Sequence, residues 1–111
     1  MLKEEFKEMK EKMPIALNDG TTLISCDFNE DTKTLEYGYV VPKELFVSFK
    51  ELAETYNTLP EILFKQSQIE AIKQDHKGVA SNIKLGFIYR YNYYDEKEKL
   101  LFTTVIDIKD L

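Results

Sequence analysis

Residues 87–94 read FIYRYNYY, and this stretch decides the fold. Aromatic side chains at every second position, alternating with a more polar set, are typical of a β-strand with one buried face. The charged residues 95–99 that follow predict a turn, and the largely apolar residues 100–108 predict a last strand. The chain is therefore expected to close with a β-hairpin.

A second hairpin is predicted nearer the N-terminus. Residues 21–28 are rich in apolar and β-branched side chains, and Ile24, Cys26 and Phe28 fall on one side of the predicted strand. The polar residues 29–33 predict the loop. The partner strand spans residues 35–41 and has its own apolar side, made of Leu35, Tyr37, Tyr39 and Val41.

The first residues of the chain predict an amphipathic helix. Four apolar side chains recur there at the spacing of one helix face: Leu2, Phe6, Met9 and Met13. Pro14 ends this helix, because proline disfavours a helical conformation in the residue before it. The Asn-Asp-Gly sequence of residues 18–20 then predicts a turn.

Helical spacing returns between the two hairpins. One helix is predicted to begin at Pro42, with an apolar face made of Leu45, Phe49, Leu52 and Tyr56. The capping box TLPE at residues 58–61 predicts the start of another, which DHKG at residues 75–78 breaks. Residues 79–85 predict one or two further helical turns that end at Gly86, and a strand beginning at Ile83 is the competing interpretation.

This order of elements predicts one α+β domain over residues 1–111. It consists of an N-terminal helix, a β-hairpin, a helical segment and a second β-hairpin, and the simplest packing is a four-stranded antiparallel sheet with helices on one face. The chain has 111 residues, of which 43% are apolar, so it can bury a core without a disulfide or a metal. The order of the strands is left open.

Charge and hydropathy limit the classes of partner. Twenty acidic residues against 15 basic ones give a net charge of −5, which repels a phosphate backbone, so nucleic acid is not an expected partner. No apolar run approaches the ~20 residues of a membrane-spanning helix. The chain is expected to be soluble, periplasmic or envelope-tethered if a signal precedes Met1 and cytoplasmic otherwise.

Neither a metal nor a cofactor is expected. Residues 27–31 have the oxygen spacing of a calcium loop, but Thr32 stands where glycine is needed and Gly38 where a bidentate glutamate is needed. A solvated hairpin loop is the preferred interpretation. His76 is the only histidine and Cys26 the only cysteine, so no zinc ligand set is recognisable, and His76 is interpreted as an exposed loop residue.

Catalytic residues are not expected either. A Cys26–His76 pair would put its nucleophile in the middle of a strand, on the side that also carries Ile24 and Phe28. That side should be core. No pair among the 20 acidic residues is distinguished by its position, so the sequence favours a protein without enzymatic activity.

The tyrosine-rich strand has two faces that predict different roles. Tyr89, Tyr91 and Tyr93 are expected to pack beside the tyrosines of the first hairpin on the helix-covered face. Strand parity puts Arg90, Asn92 and Tyr94 on the other face, with Arg90 near Glu36 or Asp107 if the hairpins are neighbours. Arginine and tyrosine are common anchors of protein interfaces, so these three residues are the candidate partner-binding site.

Two blocks of this sequence resemble those of a known group of proteins. The first joins residues 13–15, 19–23 and 35–39, with the pattern Leu-x-Tyr-x-Tyr, and the second joins residues 85–95 and 101–102, with Tyr-x-Tyr-Tyr-Asp. They resemble a broad group of small uncharacterised bacterial proteins, many of them exported or lipid-anchored. The resemblance implies a helix before Gly86 and a cell-envelope location. Members of the group often carry two cysteines, late in the helical region and at the C-terminus, which this chain lacks.

The sequence thus favours a non-enzymatic binding or protein-interaction domain whose partner is an unidentified protein. The contact surface would be the open sheet face or an edge strand. A carrier of a small apolar ligand is one alternative, favoured if the tyrosine face and the helices leave a cavity. An acidic inhibitor or immunity-type protein is another. The oligomeric state is left open.

Overall fold

A mixed β-sheet organises the chain, and helices pack on one of its faces. The computed structural model describes residues 2–17, 20–74 and 78–110, without the side chains of residues 2, 3, 5 and 6. The elements follow one another as α1 (Leu2–Lys12), β1 (Ile15–Ala16), β2 (Thr22–Asn29), β3 (Thr34–Val40), α2 (Lys43–Thr55), α3 (Pro60–Gln74), α4 (Val79–Lys84), β4 (Ile88–Tyr94) and β5 (Leu100–Ile106).

The sheet differs from the predicted one in strand number and direction. It has five strands in the order β1-β2-β3-β4-β5, and β3 and β4 run parallel, so the prediction of four antiparallel strands is wrong. Antiparallel strands can be joined by a tight turn, whereas parallel strands need a long crossover. The three helices between β3 and β4 provide that crossover. The additional strand, β1, is only two residues long and shows no alternation.

An irregularity in β2 changes which residues face the core. Leu23 pairs with Tyr39 and Cys26 with Tyr37, so one extra residue lies between them on β2. Leu23 is 6% exposed, whereas Ile24 is only half-buried. The prediction that Ile24 shares the core side is therefore wrong, because a β-bulge shifts the alternation by one residue. Cys26 lies in the core as predicted.

The predicted helices are confirmed. α2 follows Pro42 directly, and its first N–H, from Lys43, donates to Glu96 Oε1 at 2.9 Å, so the loop between β4 and β5 caps this helix. A helix and not a strand covers Ile83, and Gly86 follows it with a φ of +98°. The predicted turn at residues 18–20 and the break at residues 75–78 lie partly outside the described residues.

The last strand is shorter than predicted. It ends at Ile106, and residues 108–110 form a 3₁₀ turn. The Asp107 N–H donates to Asp110 Oδ2 at 3.0 Å, and the Lys109 N–H donates to Asp107 Oδ1 at 2.9 Å. Aspartates that bond nearby backbone groups in this way favour turns over strands.

Tyrosines form the centre of the helix-covered sheet face, as predicted. Five of them lie on the parallel pair β3 and β4, with neighbouring ring centroids between 5.6 and 6.4 Å apart. These are Tyr37, Tyr39, Tyr89, Tyr91 and Tyr93. The side chains of β4 are the most deeply buried of the row, with exposed fractions of 2–6%. Aromatic pairs at these distances add to the stability that burial alone provides.

Phe64 joins the helices to this face. Its ring centroid lies 4.1 Å from that of Phe49 on α2, 5.0 Å from that of Tyr93 and 5.1 Å from that of Phe102. α3 therefore rests on β4 and β5 while α2 packs beside it. This arrangement sets the walls of the groove described next.

Candidate functional site

A cavity lies between the helices and the tyrosine face. Its volume is about 370 Å³. Its lining side chains are apolar apart from four hydroxyls and one amide, and none of the lining residues is charged: Leu17, Thr21, Tyr39, Leu45, Phe49, Phe64, Ser67, Gln68, Ala71 and Tyr93. We call this cavity the inner chamber. Its volume lies within the range of small-molecule sites, about 300–1,000 Å³.

A second depression lies beside the inner chamber, between α2 and α3. Its volume is about 460 Å³, and it shares the lining residues Phe49, Ser67 and Ala71 with the chamber. Its lining contains a single charged residue, Glu70, among Phe49, Leu52, Leu63, Gln66, Ser67, Ala71 and Gln74. We call these two adjacent depressions together the α2–α3 groove.

Small side chains create the depth of this groove. Ser67 and Ala71 are four residues apart on α3, so they lie one above the other on the same helix face. Because both residues line both parts of the groove, larger side chains at these positions would reduce the volume of each part. The rim is apolar, since Leu17 is 36% exposed and Leu52 is 46% exposed.

The polar groups at the floor of the groove are paired or neutral. Gln68 Nε2 donates to the Tyr93 hydroxyl at 2.6 Å, which fixes the wall between helix and sheet. The other polar side chains that line the chamber, among them Thr21 and Ser67, are uncharged. The floor therefore carries no charge at neutral pH, and it is suited to an apolar surface rather than to a charged ligand.

The predicted partner-binding residues lie on the opposite, open face. Arg90 pairs in register with Glu36, and its Nη1 lies 3.7 Å from Glu36 Oε2, with about half of each side chain exposed (51% and 41%). The sequence suggested Glu36 or Asp107 as the partner of Arg90, and the structure shows Glu36. Asn92 Oδ1 accepts a hydrogen bond from the Thr103 hydroxyl at 2.8 Å.

Tyr94 covers a glycine on the same face. A side chain at Gly38 would contact the Tyr94 ring at 3.2 Å and would overlap with Ser25 Oγ. Glycine on a strand often marks such a close approach, and the ring shields backbone that would otherwise be open. Arg90, Asn92 and Tyr94 therefore lie together on one surface, and each of them already has an intramolecular contact.

The loop at residues 27–31 and the thiol of Cys26 have structural surroundings that do not favour metal binding or reactivity. Asn29 Oδ1 accepts the N–H groups of Asp31 and Thr32, at 2.9 and 3.2 Å, and so stabilises the hairpin loop. Cys26 is 1% exposed, and burial raises the pKa of its thiol. Within residues 2–17, 20–74 and 78–110 no cluster of three histidine, cysteine or acidic residues could hold a metal ion. His76 lies outside the described residues.

The α2–α3 groove was not predicted from the sequence. The spacing of Leu45, Phe49 and Leu52 predicted a helix face directed to the core, but it did not show that part of this face stays uncovered. One feature of the sequence is consistent with a groove at this place. Ser67 and Ala71 are small residues one helical turn apart, among longer side chains.

Solved structures with this fold include pilotins of type II secretion systems. The pilotin EpsS from Vibrio vulnificus superposes with a TM-score of 0.66 at 9% identity, over 96% of this chain and 84% of the pilotin. The pilotin AspS from Vibrio cholerae gives 0.64 at 14% identity, over 97% and 86%. A candidate secreted protein of Pseudomonas aeruginosa gives 0.71 at 14% identity, over 99% and 88%. At these identities the likeness is one of fold.

The chain belongs to the family described as domain of unknown function DUF8479, whose model matches residues 1–102. This match includes both blocks on which the resemblance to small bacterial proteins was based. No curated protein matches the chain in sequence. In the described part of the chain, no helix combines the length and the apolar character that crossing a membrane requires.

Proposed function

We propose that the chain is a non-enzymatic protein-interaction domain that holds a short apolar segment of a partner protein in the α2–α3 groove. The observation that carries this proposal is that the inner chamber and the outer depression lie side by side along α2 and α3 and share Phe49, Ser67 and Ala71. A closed pocket suits a small molecule, whereas a groove that follows two helices suits an extended or helical segment.

Exposed apolar side chains on the helical layer support a protein ligand. Leu52 lies on the groove rim, and Val47, Tyr56, Leu59 and Ile62 are exposed elsewhere on α2, on the loop after it and at the start of α3. Apolar patches with a polar rim mark interaction sites on soluble proteins. The fold shared with two pilotins of secretion systems supports the same class of function and an envelope location, which we propose with it.

Site-specific crosslinking tests the proposal. A photoreactive amino acid at Leu52, on the groove rim, is expected to form a covalent adduct with a protein of the native host, whereas the same group at the exposed Glu54, on the opposite face of α2, is expected to form none. Ala71→Arg, which puts a long side chain into the wall that both parts share, should abolish the adduct, and Glu54→Arg should preserve it. Equal adducts from positions 52 and 54 would contradict the groove as the contact site.

The open face is proposed as a second contact surface of the same domain. Its support is the half-exposed Arg90 beside Asn92 and Tyr94, because arginine and tyrosine contribute strongly to interfaces. The acidic side chains around it would favour a basic region of the partner: Asp27, Glu30, Asp31 and Glu36 line a shallow depression next to Arg90.

Arg90→Ala is expected to change the free energy of unfolding by no more than ~0.5 kcal/mol, since the ion pair with Glu36 is largely solvated. It should nevertheless weaken binding of the partner identified by crosslinking. Urea denaturation measures the first effect and calorimetry the second. Glu36→Ala is the matched control for stability. A loss of ~3 kcal/mol would mean that the arginine is a structural ion-pair partner.

A carrier of a small apolar ligand is the second candidate function. The inner chamber, about 370 Å³ and lined by Tyr39 and Tyr93, is the cavity that this alternative requires. Native mass spectrometry of protein purified from its host distinguishes the two candidates. A bound compound that Ala71→Arg displaces would favour the carrier, and a mass equal to that of the polypeptide alone would favour the protein-interaction domain.

A further inference from the structure

Four aromatic rings follow one another along the wall of the inner chamber. Phe49 and Phe64 are stacked, with ring centroids 4.1 Å apart. The ring of Phe64 lies tilted against that of Tyr93 at 5.0 Å, and Tyr93 is stacked on Tyr39 at 5.6 Å. All four residues line the chamber. They come from α2, α3, β4 and β3, so the aromatic surface extends from the helices to the sheet.

One polar side chain in this surroundings has an acceptor to spare. Gln68 is half-buried and lines the chamber, and its Nε2 donates to the Tyr93 hydroxyl at 2.6 Å. This bond holds the amide in place. The carbonyl oxygen of the same amide accepts no hydrogen bond from the residues that the structure describes. An amide carbonyl has two lone pairs, so Gln68 can accept a hydrogen bond from an occupant of the chamber.

The size of the chamber suits one side chain and not a whole segment. Its volume of about 370 Å³ is near the lower end of the range for small-molecule sites. The outer depression, about 460 Å³, lies beside it and has room for neighbouring residues of the same segment. Protein interfaces are often anchored by a single large side chain in such a pocket, and tyrosine and tryptophan are common anchors.

The lining favours a neutral anchor over a charged one. None of the residues that line the chamber is charged, so an ionised side chain would lose its water there without gaining an opposite charge. Tyrosine and tryptophan are neutral at pH 7 and combine an aromatic body with one hydrogen-bond donor. These two features match the ring wall and the Gln68 carbonyl.

We propose, on the basis of the function proposed above, that the partner segment is anchored by a tyrosine or tryptophan whose ring enters the inner chamber. The ring makes stacked or edge-to-face contacts with the aromatic wall. Its hydroxyl or indole N–H donates to the Gln68 carbonyl oxygen. A phenylalanine would make the ring contacts only, and an aliphatic side chain would make neither. Gln68 is therefore the residue that determines specificity for a polar-tipped ring.

Three small probes separate the two features of this anchor. p-Cresol is the side chain of tyrosine, toluene lacks its hydroxyl, and 4-methylcyclohexanol lacks its aromatic ring. NMR titrations of the ¹⁵N-labelled full chain should shift the amide signals of Phe49 and Ala71. We expect p-cresol to bind about threefold or more tightly than either other probe. A purely apolar chamber would prefer toluene to p-cresol, because a hydroxyl that loses water without a partner weakens binding.

Gln68→Met tests the residue that selects the hydroxyl. Methionine keeps the length of the side chain but is only a weak acceptor, so the preference for p-cresol over toluene should be lost while toluene still binds. Gln66→Met is the matched control. It makes the same change two positions earlier, at a residue that lines the outer depression and not the chamber, and it should keep the preference. The probe comparison on the unsubstituted chain does not depend on the stability of either variant.

The probes and the crosslink from Leu52 give separate answers. If p-cresol occupies the place of the anchor, it should lower the yield of the Leu52 adduct more than toluene does at the same concentration. The aromatic anchor is overturned if no probe gives a saturable shift, if toluene or 4-methylcyclohexanol binds as tightly as p-cresol, or if the preference survives in Gln68→Met. A Leu52 adduct would still support the groove in those cases. The lack of any adduct would instead contradict the proposed function, whichever probe binds.

Discussion

Tyr91→Ala is expected to lower the free energy of unfolding by about 3 kcal/mol, as other large-to-small substitutions in cores do. Tyr91 is 6% exposed, and its ring stacks on Tyr37 with a centroid distance of 5.7 Å and lies tilted beside Tyr39 at 6.0 Å. Its removal leaves a void in the middle of the tyrosine row, between a rigid sheet and the helices above it. Urea unfolding followed by circular dichroism measures the loss.

Tyr56→Ala is the matched control, because the same ring is deleted where the side chain is 69% exposed. Its effect should stay within ~0.5 kcal/mol. An unchanged midpoint for Tyr91→Ala would show that the ring is not part of the core, and would make the tyrosine face a candidate ligand surface.

The burial of Tyr91 should also change how the free energy of unfolding depends on alkaline pH. The pKa of Tyr91 is raised in the folded protein, mainly by burial, so the unfolded chain releases this proton first, near the ordinary value of about 10. The contribution of Tyr91 to stability is therefore complete below pH ~10 and is lost as the pH rises above it. Tyr91→Phe is expected to make the decline of stability above pH ~10 less steep, as measured by urea midpoints across that range.

Local alternation was sufficient to predict the two faces of the sheet. Tyr89, Tyr91 and Tyr93 were assigned to the covered face and Arg90 to the open face from parity alone, because side chains of a strand alternate strictly. The same argument gave Glu36 and Asp107 as the candidate neighbours of Arg90, and the structure pairs Arg90 with Glu36. Assigning a side chain to one face of a strand does not require knowing which strand lies beside it. Naming a neighbour on that face requires only that the two hairpins are adjacent in the sheet.

Strand direction and register could not be predicted in the same way. Whether β4 runs parallel to β3 depends on where a long helical connection delivers the chain, which no local pattern records. The bulge at Ile24 and the short β1 depend on the pairing of β2 with its neighbours. Strand direction and pairing depend on residues that are far apart in the sequence. The spacings that identify strands and helices, two and 3.6 residues, involve only residues that are close together.

The α2–α3 groove was not predicted because helical spacing identifies an apolar helix face but not whether other side chains bury that face. Leu52 has the helical spacing of a core residue, yet it is 46% exposed on the groove rim. Whether such a side chain is buried depends on the side chains opposite it. On α3, the residues that line the depression with Leu52 include Ser67 and Ala71, whose small side chains cover little of it.

Phe64→Ala is expected to cost about 3–5 kcal/mol of the free energy of unfolding, the range for buried phenylalanines. Phe64 is 6% exposed and contacts aromatic rings from α2, β4 and β5. Without it α3 loses its main attachment to the sheet, and the wall that separates the inner chamber from the core is lost as well. Thermal and urea unfolding both measure the effect.

Phe64→Leu distinguishes loss of the fold from loss of the groove. Leucine retains most of the apolar contact, so the stability should fall by no more than ~1.5 kcal/mol, as for conservative changes in cores. The chamber wall, however, becomes smaller and loses its flat ring beside Phe49 and Tyr93. If the groove holds a partner segment, Phe64→Leu should therefore weaken the crosslink from Leu52 although the protein stays folded. A full crosslink yield from a folded Phe64→Leu protein would show that the inner chamber takes no part in binding.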